Sequence, residues 1–318
     1  MSALGVVIPA HNAAATIERT LTCLVAQRSP PPFEVIVVDD GSDDATPVLV
    51  EAFSDRLEVR LFTQSRQGPG AARNLGVGAT DAPLIAFLDA DTFPAEGWAA
   101  AIVAALAGAD LVQGAVVADR AARPGPFDRT LRVDHPTALY QTANLAVRRE
   151  AFEAVGGFSA WIDPGGGGRG HFGEDVDFAW RAIRAGARAE FAAAAAVEHA
   201  VFARGAIAMI AERRRCAHFP ELIARVPELR ARWLVGRFFL TARSRAFDAA
   251  LFGVVAAISR RRVGPLLLTI PYLRISAGEA RRWGPRRGPR VAVAGLFADS
   301  VALGSLLRGS IAARRAVL

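Results

Sequence analysis

Leu84-Ile85-Ala86-Phe87-Leu88 runs directly into Asp89-Ala90-Asp91. Five residues without a polar side chain can be buried on both faces, and a run of that length and composition suits an interior strand of a parallel sheet. The two acids then stand at its carboxyl end, where ligands bind in open α/β sheets. An Asp-x-Asp turn there can direct two carboxylates toward one divalent cation and leave coordination positions for phosphate oxygens. Taken alone, two acids after an apolar run also begin ordinary solvated turns, so the rest of the chain has to decide.

The chain before and after this run alternates between two periods. Residues 4–8, 34–38, 58–63 and 111–117 read as strands. Residues 16–27, a segment from Asp43 or Asp44 to Phe53, 71–79 and 94–107 read as helices, with Pro47 in a first turn where its missing N–H costs little. Connections are short throughout, which predicts an α/β sandwich with a largely parallel sheet. Three loops, 9–12, 39–42 and 89–91, then emerge on one edge. Acids gathered there repel one another unless something cationic is bound.

Residues 120–136 read as an irregular crossing segment, 140–147 as a return to the sheet and 149–155 as a short helix ended by Gly156-Gly157. Trp161 precedes Gly165-Gly166-Gly167-Gly168-Arg169-Gly170, read either as a slack linker or as a lid over a substrate. Glu174-Asp175 opens a helix with Val176, Ala179, Trp180 and Ile183 on its apolar face. Asp175 in the first turn is either a cap or a proton-accepting base whose ionised form the helix dipole favours. Residues 187–197 read as a strand or extended edge that delivers Glu198-His199, and His199 completes a site with Asp89 and Asp91 if its strand borders theirs.

The ordered set Val6-Val7-Ile8-Pro9-Ala10-His11-Asn12, Val37-Val38-Asp39-Asp40-Gly41-Ser42, Arg73-Asn74-Leu75-Gly76, Leu88-Asp89-Ala90-Asp91, Gly173-Glu174-Asp175 and His199 resembles a family 2 glycosyltransferase of the GT-A fold. The resemblance implies an inverting enzyme with a nucleotide-sugar donor, most often a UDP-sugar, and a divalent metal, Mn2+ or Mg2+. It implies that Pro9, Asn12 and Asp40 line the nucleoside pocket and that Arg73 faces the nucleoside or diphosphate. Asp89 would lie near ribose and metal, Asp91 and His199 would bind the metal, and Asp175 would be the catalytic base. Gln141-Thr142-Ala143-Asn144 resembles the segment bordering the acceptor pocket. Processive members carry Gln-x-x-Arg-Trp after the base; here Glu212-Arg213-Arg214-Arg215-Cys216 stands instead, which implies addition of one sugar.

Charge divides the chain. Residues 1–200 hold 25 acids and 16 arginines, a net −9, whereas 201–318 hold 6 acids and 22 arginines, a net +16. The catalytic domain is therefore expected over 1–215, followed by a basic, apolar helical region over 216–318. With 52% hydrophobic residues and a mean hydropathy of +0.25, some apolar surface is expected to meet lipid. The apolar stretches 246–258, 263–273 and 291–307 fall short of the roughly 20 residues of a bilayer span and contain Asp248, two prolines and Asp299. They read as helices in the interface of an anionic membrane, with Arg260-Arg261-Arg262, Arg281-Arg282 and Arg286-Arg287 on lipid phosphates. Packing as an ordinary helical subdomain is the competing reading.

The expected address is cytoplasmic, peripheral on the inner face of the cell membrane, since Cys23 and Cys216 suggest no disulfide framework and the first residues have no basic n-region. The acceptor is expected to be a carbohydrate, with a lipid-linked one motivated by the tail. Nucleic acid is not expected, because no aromatic platform accompanies the arginines. A nucleotide-binding scaffold without activity and a nucleotidyltransferase on the same fold are the rivals. The intact acids and histidine weigh against the first, and the lack of Lys or Arg in 9–15 weighs against the second.

Overall fold

The computed structural model describes residues 2–159 and 172–318. The glycine run with Trp161, and with it the choice between linker and lid, lies outside the described residues. The chain divides into two compact units, one of residues 1–123 with 130–201 and the other of residues 124–129 with 202–318.

The first unit alternates in chain order: β1 (Leu4–Ala10), α1 (Ile17–Val25), β2 (Phe33–Asp39), α2 (Thr46–Glu51), β3 (Val59–Thr63), α3 (Pro69–Gly78), β4 (Leu84–Leu88), β5 (Thr92–Pro94), α4 (Trp98–Leu106), β6 (Leu111–Ala118), β7 (Asn144–Arg148), α5 (Arg149–Ala154), α6 (Glu174–Arg184) and β8 (Ala189–His199). Its sheet runs β3-β2-β1-β4-β7-β6-β8-β5. The first four strands are parallel; β7 is antiparallel to both β4 and β6, β6 and β8 are parallel, and β5 is antiparallel to β8. Parallel pairing thus covers the half of the sheet that carries the first three loops, and the far half is mixed.

Two-residue alternation builds two cores, one on each side of the sheet. Val6, Ile8, Val35, Val37, Ala86 and Leu88 face one layer with α1 and α4, whereas Val7, Ile36, Val38, Ile85 and Phe87 face the layer of α3, α5 and α6. On the second side Phe87, Phe152, Phe158 and Phe178 interlock, with ring centroids between 4.6 and 6.5 Å apart, and this cluster clamps α6 to the sheet. Pro9 lies within β1 rather than after it. The Ala10 carbonyl accepts from the Asp40 N–H, so alternation turns Pro9's missing donor to the β4 side, where pairing ends at Val7 opposite Phe87.

One expected helix starts late. Residues 92–94 are drawn into β5, and α4 begins only at Trp98. This short strand was not legible as period-two alternation, yet it decides where Asp91 goes.

The second unit contains α7 (Ala206–Glu212), a 3-10 turn (Arg213–His218), α8 (Phe219–Arg225), α9 (Leu229–Arg232), α10 (Ala242–Arg260), a second 3-10 segment (Gly264–Thr269), α11 (Ile270–Arg282) and α12 (Gly284–Ala313). Residues 234–241 lie outside helix; α10 starts after them behind a capping box in which the Ser244 N–H donates to Thr241 Oγ1 at 3.0 Å and Thr241 N–H to Ser244 Oγ at 3.1 Å. The stretch 291–307, read as too short to span, belongs to a continuous 30-residue helix that is long and apolar enough to cross a membrane by length and composition.

Candidate active site

The loops after β1 and β2 are stitched to each other. Asn12, at φ 50°, donates its N–H to Ser42 Oγ at 2.9 Å, and its Oδ1 accepts from the Asp43 N–H at 3.0 Å. The Ala13 N–H donates to Thr46 Oγ1 and the Ala14 N–H to Asp44 Oδ2, so the start of α2 and the residues just before it carry the loop that follows β1.

Asp40 is buried, and its carboxylate accepts three hydrogen bonds: Gln64 Nε2 and Gln67 N–H at 2.7 Å on one oxygen, and Gly68 N–H at 2.8 Å on the other. A carboxylate has about four lone-pair positions, so one is left for a ligand. Asp40 is first of all the clasp that holds the β3–α3 loop against the end of β2. Its neighbour Gly41, at φ 74°, makes the sharp turn that a side chain would strain.

The motif Arg73-Asn74-Leu75-Gly76 divides its labour. A Cβ on Gly76 would stand 2.4 Å from Val7 Cγ1, so glycine lets α3 lie directly on β1. Asn74 exchanges two hydrogen bonds with the backbone of Phe158, at 2.8 and 2.9 Å. The arginine that this packing delivers is 3% exposed. Arg73 Nη2 donates to Asp89 Oδ1 at 2.9 Å, Nη1 lies 3.5 Å from Glu174 Oε1, and Phe158 flanks the guanidinium at 5.6 Å. Among the described residues, Nε and Nη1 are buried without a hydrogen-bond acceptor. Buried donors left open in this way are what an anionic ligand satisfies.

After β4 the backbone closes a turn in which the Asp89 carbonyl accepts from both the N–H and the Oγ1 of Thr92, at 3.1 and 2.8 Å. Pairing of β5 with β8 sets Thr92 opposite His199, and the Ala200 N–H donates to the Asp91 carbonyl at 2.9 Å. His199 Nε2 therefore comes within 3.6 Å of Asp91 Oδ1. His199 Nδ1 lies 2.8 Å from the Ala200 carbonyl, which can only accept, so the proton of a neutral ring sits on Nδ1 and the Nε2 lone pair faces the carboxylate.

A carboxylate and an imidazole lone pair this close could both serve as donors to a divalent cation. Asp89 Oδ1 is held by Arg73, and among the described residues no group of three or more His, Cys, Asp or Glu side chains that could hold a metal is found. Among the described residues these two donors fit Mg2+ or Mn2+, which are held through few carboxylates and substrate phosphates.

Asp175 stands in the first turn of α6, behind Gly173 at φ 75°. Burial pushes its carboxyl up to about 7, the adjacent Glu174 charge adding to the shift, while Arg73 opposes it. The N-terminal helix dipole, expected to favour the ionised form, is outweighed. Glu174 went unassigned in the sequence; its signal was a second acid at the same helix start, and it ties α6 to Arg73 of α3.

One expectation changes character. Asn144 is fully buried and structural: Oδ1 accepts from Trp98 Nε1 at 2.9 Å, and Nδ2 donates to the carbonyls of Ala115 and Ala195. Gly114 makes room for it, since a Cβ there would stand 2.2 Å from Nδ2. Glu212, at the place of the processive motif, is engaged by Arg204 and by Arg129, the latter at 3.7 Å.

Comparison with known proteins agrees with this geometry. Residues 5–160 match the model described as Glycosyl transferase family 2, and residues 84–278 match Glycosyl transferase family group 2. The chain is 37% identical over 214 residues to a pre-mycofactocin glycosyltransferase of Mycobacterium tuberculosis, covering 61% of this chain and 42% of that protein. It is 33% identical over 206 residues to the glycosyltransferase AglE of Haloferax volcanii, covering 59% and 64%. It thus spans less than two thirds of the length of these relatives. Among solved structures, the mannosyltransferase PcManGT from Pyrobaculum calidifontis, in complex with GDP-Man and Mn2+, is similar over 96% of this chain and 86% of its own, with a TM-score of 0.59 at 20% identity. That likeness shows the GT-A fold, and the family matches establish that the chain belongs to the family 2 glycosyltransferases.

Proposed function

We propose that this enzyme moves one sugar from a nucleotide-diphosphate-sugar, with a UDP-sugar the first choice, to a hydroxyl of a carbohydrate acceptor, with inversion at the anomeric carbon and dependence on Mn2+ or Mg2+. The observation that carries the reading is the convergence of Asp175, Arg73 and Asp89 beside the Asp91–His199 pair. Arg73 offers buried open donors to a diphosphate, and Pro9, Asn12 and Asp40 border the nucleoside. Asp175, with a carboxyl that gives up its proton near neutrality, accepts the proton of the acceptor hydroxyl as that oxygen bonds to C1. The bond from C1 to the diphosphate oxygen breaks on the opposite face, and its electron pair leaves with the nucleoside diphosphate. A divalent cation held by Asp91 and His199, with Asp89 nearby, would neutralise charge on the departing diphosphate.

The net +16 of residues 201–318 and their apolar helices support work at the cytoplasmic face of a membrane on a lipid-linked acceptor in envelope glycan or glycolipid synthesis. Division into a catalytic domain over 1–215 and a membrane-facing region over 216–318 belongs to the same proposal.

The test is a thermal-shift titration with UDP-, GDP- and dTDP-sugars, each with and without Mn2+, repeated on Asp91→Ala. Stabilisation by one nucleotide class that needs the metal and disappears in the variant supports the donor site. No shift with any nucleotide would favour a scaffold on this fold.

A further inference from the structure

Large apolar side chains in the second unit are sorted by helix face. Along α10, Ala246, Phe247, Ala250 and Ala257 are buried, while Phe252 and Ile258 are 64% and 73% exposed. Beyond it Val263 is 81% and Leu267 69% exposed, and the 3-10 segment Gly264–Thr269 has no buried residue. On α12, Val291, Ala298 and Leu306 face the unit, and Phe297 and Ile311 face away. A soluble surface does not gather apolar side chains on this scale without a partner.

The charges around this surface say which partner. Residues 249–278 contain no Asp or Glu and four arginines, Arg260, Arg261, Arg262 and Arg274. Arg260–Arg262 sit where α10 ends, in the left-handed turn at Arg261, between exposed Ile258 and exposed Val263. Aliphatic side chains bracketing consecutive guanidiniums, with no acid among them, complement the anionic phosphates and acyl boundary of a bilayer. A second copy would set arginine against arginine.

Polar contacts of α12 fix the mode. Asp299 lies near the middle of the 30 residues, where its carboxylate accepts from Arg243 Nε at 2.8 Å and from Tyr272 at 2.7 Å, and Arg243 also reaches Glu279 at 2.5 Å. A transmembrane placement would carry this ionic group to the bilayer centre, where charge is most costly. We propose that the turn from Ile258 to Leu268 is the element that enters the interface of an anionic membrane, with Arg260, Arg261 and Arg262 on phosphates and Ile258, Val263 and Leu267 among the acyl chains, and that α12 lies along the surface rather than across it. This deepens the membrane part of the reading above and is independent of the transfer chemistry.

The experiment is flotation of the full chain with phosphatidylcholine vesicles, with and without phosphatidylglycerol, at low and high salt. It is repeated on a variant carrying Arg260→Ser, Arg261→Ser and Arg262→Ser, and on one carrying Ile258→Ser, Val263→Ser and Leu267→Ser. Wild type is expected to float with the anionic vesicles and to release in salt, and each variant to lose about 100-fold in partitioning while keeping its melting temperature. Flotation unchanged in both variants would overturn the assigned element and leave the membrane reading standing. Wild type that stays down with every vesicle would overturn both. Sedimentation as a dimer that the apolar variant dissociates would make the occupant a second copy and overturn the lipid assignment.

Discussion

Residues 84–88 and 251–258 are comparably apolar in sequence and end in opposite surroundings. The first stretch lies between β1 and β7, with a helical layer on either side of the sheet, and Ile85 to Leu88 are completely buried. The second lies on α10, which covers only one of its faces; Gly253 and Ala257 are buried there while Leu251, Phe252, Val255 and Ile258 stay exposed. A strand inside a layered sheet uses hydrophobicity as core, whereas a helix on a thin subdomain presents the surplus outward. Hydropathy summed over a chain therefore does not measure its core. Polar groups follow the same division, since the sheet unit places acids at strand ends and the helical unit places Asp299 and Glu279 on one arginine.

The largest test of this contrast is Asp175→Asn, which is expected to lower kcat by about 10³-fold or more, the scale of a lost general base. In the wild type kcat should rise with pH through about 7, because the base works ionised. The sign for stability is the reverse. The folded carboxyl holds its proton up to about 7 while the unfolded one releases it near 4, so between those pH values the folded state binds more protons and stability falls as pH rises. Asp175→Asn should then stabilise the fold more at pH 8 than at pH 5, and thermal melts at the two pH values check it. An equal shift at both would mean that the carboxyl ionises freely in the folded protein.

Packing gives the next largest effect. Phe87→Ala removes the ring at the centre of the aromatic cluster that clamps α6, and a loss of about 4 kcal/mol in denaturant unfolding is expected. Asp40→Ala strands the Gln67 and Gly68 N–H groups together with the Gln64 amide, for a loss of about 3 kcal/mol. A loss below about 1 kcal/mol for Asp40→Ala would show that its carboxylate serves ligand rather than loop.

How much of this was legible follows from the range of each interaction. β1, β2, β4 and β6 announce themselves through β-branched and aliphatic runs, and the placing of residues 11–12, 40–42 and 89–91 at the ends of β1, β2 and β4 follows from strand polarity alone. What stayed hidden depends on pairing distant in sequence. The reversal of β7 between β4 and β6 leaves no local mark. The meeting of Asp91 with His199 rests on β5, three residues long and ending in a proline. The clasp on Asp40 comes from Gln64, Gln67 and Gly68, about 25 residues away, and nothing in those residue types marks them. Asn144 shows the converse, because a motif resemblance put it beside an acceptor while its amide is consumed by Trp98, Ala115 and Ala195.

The smallest expected effect is the sharpest for the comparison. Phe252→Ser removes a ring of the same size as Phe87 from the comparably apolar stretch 251–258, but Phe252 is already mostly in water. Unfolding in denaturant should change by no more than about 0.5 kcal/mol, as for surface substitutions away from special features. The same change should raise solubility and reduce vesicle binding, since the ring's contribution is made only when lipid covers it. A loss near that of Phe87→Ala would mean that the outward face of α10 is buried in the folded protein in solution, and the division between the two units would then be one of partner rather than of solvent.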